Sequence, residues 1–447
     1  MKKIKGKPKL MLYALAGMGV NMLNLMVGSY LCSALIATGF AEKVLPYQTY
    51  VQKDIVIAGV WAVFALIARI IDGVIDIPMA SFTDRLKSKY GRRRPSLIIG
   101  LVPMIIAYVL FLAVPNKGGA TLFNTVYYGV LLSVFYIFYT LTMVTYYATY
   151  TEIVETERER TTISNTKSFF DIVYFILGYV VVRMMLNSMN IRTVALMVLP
   201  LVLTMLIPLF MIKEESSLNI DNSDNSSRSV NLFTSIKYTF KNRTFILWMI
   251  VYAFMTFSVQ LFLGGINEYF ASVGMNMMFV MMSAFAPVPF ALLLYNSIKR
   301  KYGFGTAFRY TLITYTVGMA AMFLVGKFTA DSQKLILSII TGLISSLAIG
   351  SMFAVAYSVP SQLAAEEEEK TGVTNSAMYF AVQGLFAGVA SGLATGVVLT
   401  VLKKIGVNAV SYMTLICAIG TVVAFALTFI LPKKLMEMGR EAGAPRT

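Results

Sequence analysis

Two acidic residues lie inside a hydrophobic stretch of the chain. The segment from about Ile55 to Phe82 contains Asp72 and Asp76, and it is long enough to cross a bilayer. Residues four positions apart share one face of a helix, so both carboxylates point to the same side. Because a carboxylate is costly in hydrocarbon, such a pair needs a compensating partner. The spacing predicts a site that holds a metal cation or a proton.

An arginine accompanies the two acids. Arg69 lies three positions before Asp72 and can reach it along the same helix face. One guanidinium balances one carboxylate, so the second acid needs a proton, a metal ion or another partner. We therefore expect cation binding at Asp72 and Asp76. The alternative interpretation is a purely structural pair between Arg69 and Asp72.

The composition is that of a membrane protein. The 447 residues are 57% hydrophobic and 13% charged, with a mean hydropathy of +0.71. The chain has no histidine, which excludes His-based metal sites and acid–base chemistry. Its two cysteines, Cys32 and Cys417, argue against a disulfide framework. No nucleophile–base pair is visible either, so the sequence predicts neither an enzyme nor a resident cofactor.

Twelve apolar segments have the length of a membrane helix. Approximately, they span 10–38, 54–82, 95–115, 121–150, 165–187, 191–212, 244–272, 277–297, 306–326, 332–360, 372–402 and 408–431. The polar stretch 213–243 is rich in Ser, Asn and Asp and predicts a flexible linker. We therefore expect an all-α membrane protein with six-helix bundles at 1–212 and 244–432, followed by a tail at 433–447.

The charge pattern predicts an orientation. The net charge of +16 is the excess of 38 Lys and Arg over 22 Asp and Glu. Most of the basic residues lie in alternate loops, in the linker and at the termini. Basic loops stay on the cytoplasmic side of a membrane. We therefore expect a multi-pass protein of the cell membrane with both termini in the cytoplasm. The same pattern accounts for the charge without a nucleic-acid partner.

The two halves of the chain repeat. The hexapeptide Leu86–Gly91 (LKSKYG) recurs as Ile298–Gly303 (IKRKYG), and Thr161–Thr166 (TTISNT) recurs as Thr371–Ser376 (TGVTNS). Both repeats have almost the same offset along the chain, and they fall in corresponding loops. Parallel repeats of six helices are how major-facilitator transporters are built. The fold prediction is therefore twelve transmembrane helices in two pseudo-symmetric six-helix bundles.

Several motifs resemble one family of that superfamily. They are Arg69–Asp76 (RIIDGVID), Asp84-Arg85, Gly91–Pro95 (GRRRP), Glu366–Gly372 and Met378–Gly384. Over essentially its whole length, the chain resembles the glycoside–pentoside–hexuronide:cation symporters, the relatives of melibiose permease. The resemblance implies uptake of a sugar or glycoside, coupled to H⁺ or Na⁺, by alternating access. It assigns cation binding to Asp72, Asp76 and Thr140, and the two acids are metal ligands if Na⁺ is the ion.

The chain departs from the family pattern at several positions. Ile75 stands where melibiose permeases have an Asn before the second acid, and the loss of that oxygen favours H⁺ over Na⁺. The sugar-binding acids of the first and fourth helices align with Asn21 and Met143. The Arg of the fifth helix falls one residue after Lys167, and the Lys of the eleventh helix aligns with Gly388. We therefore do not expect a melibiose-like galactoside as the substrate.

Polar and aromatic residues remain as candidates for substrate binding. Tyr139 and Tyr146 of the fourth helix offer rings and hydroxyls that suit a polyol, although packing between helices is the alternative interpretation. Lys167 and Asp171 are four positions apart and predict a local ion pair, and Glu268 lies near a segment end, from where it can reach the surface. The predicted substrate-binding residues are Asn21, Asn24, Tyr139, Met143, Tyr146, Lys167 and Gln383.

Two further functions remain open at this point. A Na⁺-coupled carrier of lysolipids fits the loss of the charged sugar ligands, and a non-transporting membrane sensor is the alternative from another class. The expected partners are a small-molecule solute, H⁺ or Na⁺, and the lipid bilayer. The predicted gate or structural residues are Arg69, Asp84, Arg85, Arg92 and Arg93.

Overall fold

The chain divides into two compact units. The computed structural model describes residues 3–4, 6–36, 54–116, 119–154, 157–186, 188–218, 240–273, 277–328, 330–371 and 376–440. The regular secondary structure of these residues is helical, apart from one bridge between Val56 and Thr121. One unit consists of Met1–Ala37 with Leu45–Ser229, and the other of Thr38–Val44 with Val230–Thr447. Residues 219–239 of the predicted linker lie outside the described ranges.

The described part of the first unit is built from α-helices. In chain order they are α1 Lys7–Leu25, α2 Ala58–Val74, α3 Asp76–Arg85, α4 Arg93–Phe111, α5 Leu122–Ile153, α6 Glu157–Ile176, α7 Val182–Leu186, α8 Ile191–Val198 and α9 Leu206–Met211. α1 continues into π-helical Met26–Leu31 and 3₁₀-helical Ser33–Leu35. π-helical Leu177–Val181 joins α6 to α7, and 3₁₀-helical Leu199–Met205 joins α8 to α9.

The described part of the second unit is also helical. Its α-helices are α10 Arg243–Val273, α11 Met277–Phe285, α12 Val288–Tyr302, α13 Phe304–Val325, α14 Asp331–Thr371, α15 Ser376–Ser391, α16 Leu399–Ile405, α17 Val407–Val410, α18 Tyr412–Leu427 and α19 Lys433–Met436. π-helical Gly392–Val398 joins α15 to α16. The fifth and eleventh predicted segments therefore both contain a π-helical stretch.

Eleven helical spans in the described residues are long and apolar enough to cross a membrane. They correspond to every predicted segment except the second. Helix α4 shows the pattern expected in lipid, because Ile98, Val102 and Ile106 form an exposed apolar row while Leu101 and Tyr108 are buried. An apolar row of this kind is typical of a lipid-facing surface rather than a water-facing one.

The second predicted segment is divided at Ile75. Pro78 has no backbone N–H for the carbonyl group of Val74, and its ring crowds that carbonyl, so α2 ends at Val74 and α3 begins at Asp76. The chain still continues across the break, since the Met79 N–H donates to the Ile75 carbonyl group at 3.0 Å. The break and the charged residues explain why this segment is not a single long apolar helix.

The two repeated loops share the φ angle of their glycine but not their secondary structure, since residues 86–90 lie outside the helices whereas residues 298–302 end α12. Gly91 and Gly303 occupy the same position of the repeat and have φ angles of 83° and 88°. Each glycine packs against residues that follow the last membrane-spanning segment of its own unit. A Cβ atom at Gly91 would lie 2.3 Å from Glu214, and one at Gly303 would lie 2.9 Å from the Met436 carbonyl oxygen. The Ser217 N–H also donates to the Ser88 carbonyl group at 3.0 Å. The first residues of the predicted linker are therefore bonded to the first unit.

Candidate functional site

Helices α2 and α5 bring the first membrane acid to a threonine. Asp72 lies in the last turn of α2, and Arg69 Nη1 lies 3.6 Å from its Oδ2 atom. The Thr140 hydroxyl group donates to Asp72 Oδ1 at 3.3 Å. The long helix α5 carries Thr140 and starts where the Thr121 side chain caps the N–H of Asn124. The predicted proximity of Thr140 and Asp72 is thus present in the structure.

The second membrane acid has a different environment. Asp76 is the first residue of α3 and is half-buried. Within the described residues, it has no hydrogen bond and no ion pair. The single positive charge of Arg69 is directed at Asp72, so the two carboxylates are not equivalent. A cation or a proton can balance Asp76 without displacing a partner that belongs to the protein.

An aromatic ring and a glycine surround Arg69. Its guanidinium carbon lies 4.6 Å from the ring centroid of Tyr136, which is one turn before Thr140 on α5. A Cβ atom at Gly28, in the π-helical continuation of α1, would lie 3.2 Å from Arg69 Nη2. Three helical segments thus meet at this guanidinium. The contact of Tyr136 with Arg69 was not predicted, because its four-residue spacing from Thr140 does not show which side of α5 faces α2.

A polar cluster lies where α1, α5 and α6 meet. The Tyr139 hydroxyl group donates to Asn21 Oδ1 at 3.0 Å, and Asn21 Nδ2 donates to Asp171 Oδ1 at 3.5 Å. Lys167 Nζ lies 2.5 Å from Asp171 Oδ2 and 5.2 Å from the ring centroid of Tyr147. The predicted local pair of Lys167 and Asp171 is confirmed. The contact of Asp171 with Asn21 was not predicted, because it joins helices that are distant in sequence.

The other predicted substrate residues have varied positions. Tyr146 is fully buried and donates to the Tyr13 carbonyl group at 2.7 Å. Met143 is buried near Gly17. Asn24 has a buried Oδ1 atom with no hydrogen-bond partner in the described part of the chain. Gln383 is buried in α15 of the second unit. Tyr146 and Met143 therefore pack between helices, whereas Asn24 keeps an acceptor available.

Two of the predicted gate residues, Arg92 and Arg93, lie at the start of α4. The backbone N–H groups of Arg93 and Arg94 donate to Glu214 Oε2 at 2.8 and 3.3 Å. A carboxylate at this position satisfies free N–H groups and interacts favourably with the helix dipole. Arg92 precedes the helix, and its carbonyl group accepts a hydrogen bond from Ser96. The side chains of Asp84 and Arg85 lie outside the described residues. Glu214 was not predicted, since its place after the sixth segment is its only distinguishing feature in the sequence.

Comparison with known proteins decides the family. Residues 12–431 match the family described as MFS/sugar transport protein. The chain belongs to this family. It is 27% identical over 124 residues to an uncharacterized symporter of Synechocystis sp., and this match spans only 23% of that relative. The family match confirms the predicted place in the major facilitator superfamily.

Solved structures support the same fold. A nucleoside transporter, NupG, has a TM-score of 0.63 at 15% identity, covering 95% of this chain and 98% of that one. A D-xylose-proton symporter has a TM-score of 0.60 at 14% identity, covering 96% of this chain and all of its own, 100%. At these identities the likeness shows the fold alone. The predicted all-α fold with two pseudo-symmetric bundles of membrane helices is confirmed.

The second unit of this MFS member contains a buried ion pair. Lys403 Nζ on α16 donates to Glu268 Oε1 on α10 at 3.2 Å, and the two side chains are 5% and 4% exposed. Glu268 Oε2 is buried without a hydrogen-bond partner in the described residues. The prediction that Glu268 reaches the surface was therefore wrong. The distance along the sequence between these two residues explains why the pair was not predicted.

Proposed function

We propose that this MFS transporter is a symporter that couples entry of a sugar or glycoside to a monovalent cation at Asp72 and Asp76. The proposal rests on the different protein contacts of the two acids. Arg69 and Thr140 contact Asp72, whereas Asp76 has no partner among the described residues. An uncompensated carboxylate inside a membrane bundle is unfavourable. Binding of H⁺ or Na⁺ removes that cost.

Coupling follows from the reciprocity of binding. If solute binds more tightly when the acids are neutralised, then the cation binds more tightly when solute is present, by the same factor. Two six-helix repeats of parallel topology suit alternating access, in which one repeat moves against the other. The transporter with bound solute but no bound cation is disfavoured, so the ion gradient drives solute accumulation.

The cluster of Asn21, Tyr139 and Lys167 is the proposed solute site of the first unit. An amide, a phenol and an ammonium group offer donors and acceptors to the hydroxyl groups of a polyol. The Lys167 and Asp171 side chains are 23% and 24% exposed, so part of the cluster remains accessible. The matched family of sugar transport proteins supports this substrate class. Asn24 and Gln383 remain predicted contacts, and we assign no solute contact to Met143 and Tyr146 because both pack between helices.

Transport by purified protein in liposomes tests the proposal. We expect an inward gradient of H⁺ or Na⁺ to drive accumulation of at least one member of a panel of monosaccharides and glycosides. Asp76→Asn removes the carboxylate that takes up the cation, and Asp72→Asn leaves Arg69 without its partner, so each change should abolish accumulation of solute above its external concentration. Exchange of solute down its gradient should continue, since the solute cluster is separate from the acids.

A matched acidic residue provides the control. Asp331 is 94% exposed and pairs with Lys334 at 3.8 Å, so Asp331→Asn should leave driven uptake unchanged. Gradient-driven accumulation by the Asp72→Asn/Asp76→Asn double variant would refute the coupling assignment. Failure of every sugar in the panel to accumulate in liposomes with wild-type protein would refute the substrate class.

A further inference from the structure

Arg69 occupies the place of a bound cation beside Asp72. Its Nη1 atom lies 3.6 Å from one carboxylate oxygen, and the Thr140 hydroxyl group lies 3.3 Å from the other. The Arg69 and Asp72 side chains are only 17% and 26% exposed, so bulk water screens the attraction weakly. Both oxygens of Asp72 are therefore contacted by the protein itself, and its charge is balanced before any external ion arrives.

Tyr136 and Gly28 hold this guanidinium in place. The guanidinium carbon lies 4.6 Å from the ring centroid of Tyr136, and Tyr136 is 1% exposed. A cation over a desolvated tyrosine ring is attracted by the ring quadrupole. At Gly28, a Cβ atom would lie 3.2 Å from Arg69 Nη2 and 3.8 Å from the Tyr136 hydroxyl oxygen. A larger residue would crowd Arg69, so glycine leaves the space that the guanidinium uses.

We infer that Arg69, clamped by Tyr136, is the ion-selectivity element of this site: it serves as the resident cation of Asp72 and excludes Na⁺ from the acid pair. The inference rests on the proposed coupling role of the two acids. Na⁺ is a hard cation that requires several oxygen ligands. With Asp72 engaged by Arg69, Asp76 and the oxygen-free side chain of Ile75 offer too few. The exchangeable coupling charge is then confined to Asp76.

Thermal unfolding of the purified full-length protein in NaCl or choline chloride, at one mildly alkaline pH, tests this assignment. The wild-type midpoint should be the same in both salts. Arg69→Met keeps the length of the side chain and removes its charge, which frees Asp72 for Na⁺. NaCl should then raise the midpoint of this variant by about 3 °C or more, because an ion that binds only the folded state stabilises it.

Three further variants make the test specific. Arg69→Lys retains the positive charge and should stay insensitive to Na⁺. Tyr136→Leu loosens the clamp without removing the charge, so it should show a smaller Na⁺ shift, and it serves in place of Arg69→Met if that variant does not fold. Adding Asp76→Asn to either Na⁺-responsive variant should abolish the shift, because Na⁺ then lacks one of its two carboxylates.

Two results would overturn the inference. The first is stabilisation of the wild-type protein by NaCl over choline chloride. The second is a lack of Na⁺ response in every folded variant of Arg69→Met and Tyr136→Leu. These outcomes are distinct from a failure of the proposed transport function. Na⁺-driven solute uptake by the wild-type protein would preserve symport and remove the selectivity role of Arg69, whereas a Na⁺ shift in Arg69→Met without any driven uptake would preserve the ion site and remove symport.

Discussion

Two carboxylates one helical turn apart have unequal surroundings in this structure. Asp72 is paired with Arg69 and Thr140, while Asp76 begins a new helix with no partner among the described residues. The helix break at Ile75 contributes to this difference. It places Asp72 at the end of α2 and Asp76 at the start of α3, so the two acids are held by different helices.

The side chain between the acids offers a direct test of ion choice. Ile75→Asn adds an amide oxygen next to Asp76, and amide oxygens are ligands for hard cations. We expect this variant to show a larger dependence of driven uptake on Na⁺ than the wild-type protein. Ile75→Leu adds no oxygen and should behave like the wild type. Equal Na⁺ dependence in all three proteins would mean that this position does not face the coupling ion.

The buried pair of Glu268 and Lys403 allows a prediction about stability. Lys403→Met leaves the Glu268 carboxylate buried and unbalanced, which should destabilise the folded state by about 3–5 kcal/mol. The double variant Glu268→Gln/Lys403→Met should recover most of this loss, because no buried charge remains. Unfolding midpoints in detergent give the comparison.

A lysine of the same unit serves as the control for that pair. Lys334 is 16% exposed and pairs with Asp331, whose side chain is 94% exposed, and its Nζ also donates to the Val273 carbonyl group at 3.3 Å. Removing Lys334 therefore leaves no buried charge without a partner. Lys334→Met should therefore change the midpoint much less than Lys403→Met. A double variant as unstable as Lys403→Met alone would show that packing, rather than charge balance, sets the cost.

At the scale of elements, the repeated loops show how each unit fixes its helix ends. Gly91 has a φ angle of 83° and is followed by α4, whose first N–H groups are bound by Glu214. Gly303 precedes α13 with a φ angle of 88°, and the Phe304 N–H donates to the Met438 carbonyl group at 3.0 Å. In both units, residues that follow the last membrane-spanning segment form hydrogen bonds to the start of the third membrane-spanning segment of that unit.

The first of these loops yields an element-scale prediction. Gly91→Ala adds a Cβ atom at a left-handed φ angle, 2.3 Å from Glu214, so it causes both backbone strain and a clash. Gly406→Ala is the matched control, since Gly406 has a φ angle of 127° with nothing within 4 Å of its Cβ position. We expect Gly91→Ala to lower stability by about 1–3 kcal/mol more than the control. Equal unfolding midpoints would show that the Glu214 side chain can move away from residue 91 at little cost in free energy.

For the molecule as a whole, the even number of predicted segments determines which loops share a side. The basic residues at both termini and in the linker predict that these parts face the cytoplasm. Single cysteines at Ser226 and at Asn116, in a background without Cys32 and Cys417, should therefore react with an impermeant maleimide from opposite sides. Reaction from the same side would contradict the twelve-segment topology.

The fold was largely predictable from sequence because its signals are local. Apolar length gives the spans, and eleven of the twelve predicted segments reappear as spanning helices in the described residues. The second segment differs because Pro78 interrupts it, and a proline inside an apolar run is a visible signal. The repeat of the two loops was also visible in the sequence, but their secondary structure was not, since residues 86–90 lie outside the helices and residues 298–302 belong to α12.

The sequence by itself determined the membrane class, the repeat and the place of the two acids, since hydropathy, spacing and charge are properties of neighbouring residues. Only the tertiary structure decided which acid has a partner. Thr140 is 68 positions from Asp72, and Lys403 is 135 positions from Glu268. These contacts depend on how each helix is rotated about its axis against its neighbour. That rotation is set by packing across the whole interface, which no local pattern specifies.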